Sequence, residues 1–135
     1  MPIDLSIVTP QGETWRGLVE GVVLPGSEGQ FGVLPDHERF LTPLRIGAIE
    51  IRTASETLVA AVSDGFADVT GQEVAVLVEA CELASEIDRE RAAAARDRAE
   101  QELGDVQVQN DPARLQEWET ALERARVRLA VSERT

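Results

Sequence analysis

Hydrophobic and polar residues alternate along the first 84 positions of the chain. Such alternation places one face of a β-strand against a core and the other against solvent. Residues with turn chemistry separate the runs, at positions 10–12, 25–26, 63–65 and 71–72. Several short strands at this spacing predict a β-sandwich or a barrel. The alternating runs are Ile3, Leu5 and Ile7; Val22 and Leu24; Ile49 and Ile51; Leu58, Ala60 and Val62; and Val74, Val76 and Val78.

Near residue 85 the apolar spacing changes to three and four, which is the period of a helix. Asp88 is the predicted N-cap of a helix over residues 89–103, and Gly104 is its predicted stop. Asp111 followed by Pro112 predicts the start of a second helix. Small residues on the first helix face larger ones on the second, which favours an antiparallel hairpin. The facing residues are Ala92, Ala95, Ala99 and Leu103 on the first helix, and Leu115, Trp118, Leu122, Ala125 and Leu129 on the second.

The composition divides the chain at the same place. Residues 1–84 hold nine of the ten glycines, and their 13 acids and 4 arginines give a net charge of −9. Residues 85–135 hold 12 acids and 9 arginines, which is a net charge of −3. We therefore expect two domains, a β domain over residues 1–84 and a helical domain over residues 85–135.

The charge excludes several classes of function. The net charge is −12, and all 13 basic residues are arginine. A protein that follows the phosphates of a nucleic acid needs a basic footprint, so no nucleic-acid partner is expected. One cysteine and one histidine cannot build a zinc site, and no metal site is predicted. The chain has no apolar run of about 18 residues and no basic leader, so we expect a protein of cytosolic origin.

Catalysis by this chain is not expected. The absence of lysine removes a phosphate loop ending in Gly-Lys-Ser/Thr, and no GxSxG elbow occurs. His37 is the only imidazole that could act as a base. The glycine-rich segment 25–35 contains the acidic Glu28 and opens no helix, which argues against a phosphate site. A contact with another protein, or a plain connection between strands, explains this segment better.

The arginines of the helical domain form the most specific cluster of the sequence. Arg91 and Arg98 lie seven residues apart on the first predicted helix, and Arg124 and Arg128 lie four apart on the second. In a closed hairpin these four guanidinium groups could face one anion. The alternative is a solvated surface on which they pair with neighbouring glutamates, and periodicity alone favours this alternative.

Three segments resemble the epsilon subunit family of F-type ATP synthases, which is called delta in mitochondria. They read VVLPGSEGQFGVLPDHERFLTPLRIGAIEIR (residues 22–52), SDGFADV (63–69) and VAVLVEACELASEID (74–88). The resemblance extends from about Asp4 to Ser132 and so covers nearly the whole chain. It implies an N-terminal antiparallel β-sandwich over residues 1–84 and a C-terminal two-helix antiparallel hairpin over residues 85–135.

The resemblance also implies a role. Members of this family are non-catalytic central-stalk subunits of the proton-translocating ATP synthase. They join the gamma shaft to the ring of c subunits, and their extended hairpin reaches the alpha and beta subunits of the catalytic head and inhibits ATP hydrolysis. Such a subunit would be peripheral, on the cytoplasmic face of the bacterial plasma membrane or the stromal face of a thylakoid. By resemblance, the residues that contact the c ring and gamma are Gly26, Ser27, Glu28, Gly29, Gln30, Phe31, Gly32 and His37, with Gln30 at the tip of the loop.

Some bacterial members bind ATP in the folded hairpin through an Ile/Leu-Asp-x-x-Arg-Ala motif, which residues 87–92 match. The resemblance therefore implies ATP as a regulatory ligand and no required cofactor. Arginine forks suit phosphate oxygens, and Glu82 could accept the adenine amine. Two other hypotheses stay open, a free-standing nucleotide-sensing module and an enzyme that uses His37. The implied ATP residues are Glu82, Ile87, Asp88, Arg91, Ala92, Arg98, Arg124 and Arg128.

Overall fold

The computed structural model describes residues 2–36 and 38–134, in which a β domain precedes three helices. The strands are β1 (Ile3–Thr9), β2 (Gly12–Val19), β3 (Gly21–Gly26), β4 (Gly29–Val33), β5 (Phe40–Leu44), β6 (Gly47–Arg52), β7 (Thr57–Val62), β8 (Gly65–Thr70), β9 (Glu73–Val78) and β10 (Cys81–Leu83). A 3₁₀ turn (Ala84–Glu86) leads to α1 (Arg89–Leu103), α2 (Val106–Gln109) and α3 (Pro112–Ser132).

The strands fold into one strongly curved sheet in the order β10-β7-β6-β3-β5-β8-β9-β1-β2, and β4 pairs with β3. The two ends of this order come together, because the side chains of Cys81 on β10 and Thr14 on β2 share a hydrogen bond. The sheet is thus a sandwich that nearly closes into a barrel, and the predicted fold class is confirmed. One pairing departs from the antiparallel expectation, since β1 and β9 run parallel. No short turn joins these two strands, so the connection between them does not require an antiparallel pairing.

The core lies between the inner faces of this sheet. All five alternating runs of the sequence contribute to it, although Leu58 is only half-buried. The strands that the alternation did not reveal have weaker patterns, as in β2, where Val19 is buried and the residues before it are exposed or half-buried. The largest fully buried side chains are Ile3, Leu5, Ile7, Val19, Val22, Leu24, Val33, Ile49, Ile51, Val69, Val74 and Val76.

The predicted helices begin where their caps were expected. The Asp88 side chain accepts a hydrogen bond from the Arg91 backbone N–H at 3.1 Å, and Asp111 caps the helix that starts at Pro112. The predicted stop at Gly104 is confirmed, because α1 ends at Leu103 and Gly104 is its C-cap, with a right-handed φ of −81°. Asp105 then caps the short α2, which the sequence had not indicated. No helix in the described part of the chain is long and apolar enough to cross a bilayer.

The helices α1 and α3 pack through small residues, as predicted, but not through every residue that was expected. Ala92, Ala99 and Ala125 are buried, whereas Ala95 is exposed. The buried line on α1 continues through position 96, where Arg96 is half-buried. An arginine can cover such a position with its aliphatic stem while its charge stays in water, and here it pairs with Asp97 at 3.1 Å.

The free cysteine offers a direct test of how the sandwich closes. Burial, followed by the nearby Glu86 carboxylate, raises the pKa of Cys81 to about 11. Because the thiolate reacts and the thiol does not, we expect maleimide to label Cys81 at pH 8 roughly 100-fold more slowly than a cysteine of ordinary pKa near 8.5. Mass spectrometry of the native chain measures this rate, and the chain unfolded in guanidinium is the control. Equal rates in both states would mean that the β10 edge is open.

Candidate functional site

A cleft of about 530 Å³ lies between the sandwich and α3. Strands β7 and β10 and the segments beside them form one wall, and one side of α3 forms the other. Glu82, Arg124 and Arg128, three of the eight predicted nucleotide residues, line this cleft. The other lining residues are Ile46, Ala61, Val62, Ser63, Glu79, Ala80 and Val127. The lining is therefore mostly apolar and carries two arginines and two glutamates, so it could take an apolar group together with an anion that binds the arginines.

The charged pair in this cleft links the two domains. Arg128 Nε donates to Glu82 Oε1 at 2.7 Å, and Arg128 Nη2 donates to Glu82 Oε2 at 3.4 Å. The Arg128 side chain is 25% exposed and Glu82 is 37% exposed, so the pair is partly shielded from water. A forked arginine–carboxylate pair of this kind fixes both side chains. Glu82 is thus the partner of Arg128.

The motif residues at the start of α1 have structural contacts in this state. Ile87 is buried where the hairpin meets the sandwich, and Ala92 is fully buried in the same cluster. The Asp88 carboxylate is occupied by capping the helix. These three motif residues therefore stabilise the start of α1 and its contact with the sandwich. None of their side chains lines the cleft.

Two ion pairs mark one side of the helical hairpin. Arg89 Nη2 lies 3.5 Å from Glu133 Oε1, and Arg126 Nη2 lies 3.9 Å from Glu100 Oε1. Each pair joins α1 to α3 or to its C-cap, so these four residues identify the same side on both helices.

The four predicted nucleotide arginines fall on the opposite side. Successive residues turn by about 100° around a helix axis, so Arg91 and Arg98 lie about 80° and about 100° from the buried Ala99, away from the ion-paired side. Arg124 and Arg128 lie away from the ion-paired side of α3 in the same way. The shared face predicted from the spacing is thus present. Only the two arginines of α3 line the cleft.

Arg98 has a specific neighbour of its own. Its guanidinium carbon lies 5.6 Å from the centroid of the Trp118 ring, within the range of a cation–π contact. Trp118 is half-buried on α3, so this contact connects the two helices. It also makes Trp118 a fluorescent reporter of events on this side of the hairpin.

The glycine-rich segment forms the β3–β4 hairpin. Its turn is Ser27–Glu28, so the expected turn at Pro25–Gly26 is wrong, and both of those residues belong to β3. The chain stays extended there because the Pro25 carbonyl accepts a hydrogen bond from the Arg45 N–H at 2.9 Å. Gly29 has a φ of +134°, a conformation that favours glycine.

One further expectation for this hairpin needs correction. Gln30 does not lie at the tip, because it pairs with Pro25 inside the ladder. Phe31 is half-buried, and its ring meets that of Phe40 edge to face at 5.5 Å. Gly26 cannot carry a side chain, since a Cβ there would lie 2.9 Å from the Phe31 ring. His37 lies outside the described residues.

Sequence reasoning missed an apolar row on the outer face of the sheet. Four side chains from adjacent strands lie side by side in it, in the register Pro43–Phe66–Leu77–Val8. Phe66 is 52% exposed and Leu77 is 47% exposed. The alternation of β8 could have revealed the row, because it places the large apolar Phe66 at a solvent-facing position next to the buried Ala67.

Acidic residues flank this apolar row. Asp64 and Glu79 share a cleft with Phe66 and Leu77 at one end of the strands. Asp4, Asp68 and Glu73 surround a second, polar depression on the same strands. Pro43 also lines the cleft beside the β3–β4 hairpin, so the row and the hairpin form one continuous surface. An exposed apolar patch with a polar rim marks a contact with another protein.

The fold and these surfaces define a two-domain subunit of a larger assembly, with a sandwich that offers contact surfaces and a helical hairpin docked on its edge. Residues 2–84 match the family model of the ATP synthase delta/epsilon chain β-sandwich domain, and residues 85–133 match the model of its long α-helix domain. The chain belongs to the ATP synthase delta/epsilon chain family. This family is that of a stalk subunit and not of the catalytic subunit, and the resemblance found in the sequence is confirmed.

Similar proteins cover nearly the whole chain. The ATP synthase epsilon chain of Syntrophobacter fumaroxidans is 42% identical over 133 residues, which are 98% of this chain and 97% of that protein. The epsilon chain of Bacillus velezensis is 38% identical over 130 residues, 96% of each chain. A chain in the cryo-EM structure of the Euglena gracilis mitochondrial ATP synthase, OSCP/F1/c-ring, matches with a TM-score of 0.82 and 25% identity, over 96% of this chain and 80% of that one. A chain of the Tetrahymena thermophila central stalk/c-ring structure shares the fold, with a TM-score of 0.66.

Proposed function

We propose that this chain couples the gamma shaft to the c ring in a proton-translocating F-type ATP synthase, and that its hairpin inhibits ATP hydrolysis and senses ATP. The subunit is non-catalytic and needs no cofactor. It works as a peripheral component on the cytoplasmic face of a bacterial plasma membrane, or on the stromal face of a thylakoid. The observation that carries the coupling role is the continuous surface formed by the apolar row and the β3–β4 hairpin.

Two parts of that surface suit two partners. The row Pro43–Phe66–Leu77–Val8 is apolar and acid-flanked, so it fits a shaft surface with an apolar ridge and basic neighbours. The turn at Ser27–Glu28 projects from the sandwich on a short, tight ladder and fits a contact with the polar loops of the c ring. The adjacency of the two parts is what a subunit needs in order to hold the shaft on the ring.

The cleft beside α3 supports the sensing role. Its volume of about 530 Å³ is in the range of small-molecule sites. Four of the 13 arginines of the chain, Arg91, Arg98, Arg124 and Arg128, lie on this side of the hairpin. Guanidinium groups bind phosphate oxygens through paired hydrogen bonds. We propose that ATP phosphates bind these arginines and that the adenine enters the apolar part of the cleft, near Glu82.

The hairpin also supports the inhibitory role. Residues 112–135 carry five arginines and four acids, so the second helix is basic in an acidic protein. Released from the sandwich, this helix could reach acidic loops of the catalytic head and block rotation in the direction of hydrolysis. ATP that contacts both helices favours the closed form, because a ligand shifts a population only by binding one form better.

Calorimetric titration of the full chain with ATP tests the sensing role. Arg91→Ala and Arg124→Ala are each expected to weaken binding by tenfold or more, since a charge-assisted hydrogen bond contributes roughly 1.5–3 kcal/mol and about 1.4 kcal/mol is a factor of ten. Arg114→Ala is the matched control, because Arg114 lies on α3 ten residues before Arg124, lines no part of the cleft and is not one of the four proposed phosphate-binding arginines. Trp118 fluorescence provides an independent readout.

Four results would contradict this assignment. Unchanged affinity for ATP in both variants would show that the arginines form an ordinary solvated surface. The absence of binding at millimolar ATP would show the same. ATP binding without any association with a gamma subunit would instead favour a free-standing nucleotide-sensing module. Turnover that is lost in His37→Ala would favour an enzyme.

A further inference from the structure

The apolar contact between the hairpin and the sandwich is small. Val59 and Ala61 on β7 meet Ile87, Ala92 and Val131 from the helical domain. Half-buried Ala48, Ala84, Val127 and Leu129 pack against these five, and four of the nine residues are alanines, which contribute little when buried. The apolar contact alone therefore gives the hairpin a weak hold on the sheet.

Ion pairs lie on both sides of this apolar contact. On one side, Arg134 Nη2 donates to Glu50 Oε2 on β6 at 3.2 Å. On the other side, Arg128 Nε donates to Glu82 Oε1 on β10 at 2.7 Å. The strand order β10-β7-β6 places the apolar contact on the strand between the two carboxylates. Both arginines come from the last part of the chain, so both pairs fasten the same end of α3.

Glu50 is well placed to hold its arginine. Its side chain is 24% exposed, and it also accepts a hydrogen bond from Arg52 Nε at 3.1 Å. Hydrogen bonds from Arg52 first and Arg134 second lower the pKa of Glu50. The carboxylate is therefore charged and already oriented by its own strand when Arg134 arrives, which reduces the entropy lost on pairing.

We infer that the pairs Glu50–Arg134 and Glu82–Arg128 form an electrostatic clasp that keeps the hairpin closed on the sandwich, and that ionic strength sets how often it opens. The clasp acts in the chain without nucleotide, so it goes beyond the proposed ATP sensing. An anion that binds Arg128 in place of Glu82 would break this ion pair of the clasp and replace it with its own contacts to Arg128. The Glu50–Arg134 half does not depend on the cleft.

A buried reporter thiol measures the opening. In a Cys81→Ala background, Val131→Cys places a thiol in the apolar contact, where Val131 is 1% exposed. Labelling by neutral N-ethylmaleimide then follows the open fraction of the full chain without nucleotide. Glu50→Gln and Arg134→Gln are each expected to speed labelling about two- to fivefold, which is the range for partly exposed ion pairs. The double variant is expected to be labelled at the same rate as the single variants, because either single change already breaks the ion pair.

Salt and a matched pair provide the controls. Raising NaCl from about 0.05 to about 1 M is expected to speed labelling of the intact clasp, and to do so less in the Glu50→Gln variant. Asp4→Asn removes a pair of similar geometry, Arg16 Nη2 to Asp4 Oδ2 at 2.9 Å, on β1 and β2 and so outside the three strands that carry the clasp. We expect no change in labelling from this control.

The clasp is overturned if Glu50→Gln and Arg134→Gln leave labelling unchanged, if their effects simply add, or if Asp4→Asn speeds labelling equally. Hydrogen exchange of α3 amides in chains with the native Val131 repeats the test without the reporter, so a perturbing cysteine cannot decide the outcome. Because no nucleotide is present in either measurement, a failure of ATP binding leaves the result of this test unaffected.

Discussion

Replacing Phe66 by aspartate is expected to weaken the association of this chain with the gamma subunit, its proposed partner, by about 30-fold or more. Phe66 lies in the middle of the apolar row, between Pro43 and Leu77, and is 52% exposed in the isolated chain. Aromatic residues at the centre of an interface commonly contribute about 2 kcal/mol or more, and burying an unpaired carboxylate there adds to the loss. Leu77→Asp should act in the same direction. Pull-down or surface plasmon resonance with purified gamma measures the affinity.

A leucine outside the row separates interface loss from general damage. Leu18 on β2 is 65% exposed and is not part of the row, so Leu18→Asp introduces the same charge at a comparably open site. We expect it to leave the affinity for gamma unchanged, and we expect all three variants to keep the melting temperature of the parent chain within a few degrees. Equal weakening by Leu18→Asp and Phe66→Asp would show that the row is not the shaft contact.

The parts of the fold that the sequence predicted are those in which one physical signal dominates. Strict alternation, as at Val74, Val76 and Val78, arises only when one face of a strand is buried. A capping carboxylate such as Asp88 satisfies backbone donors wherever a helix begins. The strands that were missed have shorter or weaker patterns, as in β2, where only Val19 is buried, and in β8, where only Ala67 and Val69 are. The turn at Ser27–Glu28 was misplaced because a tertiary hydrogen bond, from Arg45 to Pro25, overrides local turn chemistry.

The candidate site was predictable only in its chemistry. Helical spacing placed Arg124 and Arg128 on one face, but it could not show that Glu82 holds Arg128, because that pair joins positions 46 residues apart. The clasp residue Arg134 gave no signal in the sequence, since its partner Glu50 lies on a strand 84 positions away. Long-range pairs of this kind depend on how the domains dock, and one sequence does not determine docking by periodicity.

Locking the hairpin closed is expected to remove the inhibition of ATP hydrolysis almost completely. Inhibition in this proposal requires α3 to leave the sandwich and extend along the shaft, and a covalent link between α1 and the end of α3 prevents that movement. The tips of Arg89 and Glu133 lie 3.5 Å apart, so cysteines at these two positions suit a short bifunctional maleimide. The background is Cys81→Ala, which leaves no other thiol in the chain.

The measurement compares ATP hydrolysis and ATP synthesis in the reconstituted enzyme before and after linking. Hydrolysis at low ATP should rise to the rate seen with a chain truncated after Ser85. Coupled synthesis should stay unchanged, because in our proposal the sandwich alone provides the contacts with shaft and ring. The two single-cysteine variants, treated with the same reagent, control for modification at either position. An enzyme that remains inhibited after complete linking would show that the closed hairpin, or the sandwich itself, is the brake. The differential affinity of ATP for the closed form would then have no role in regulating rotation.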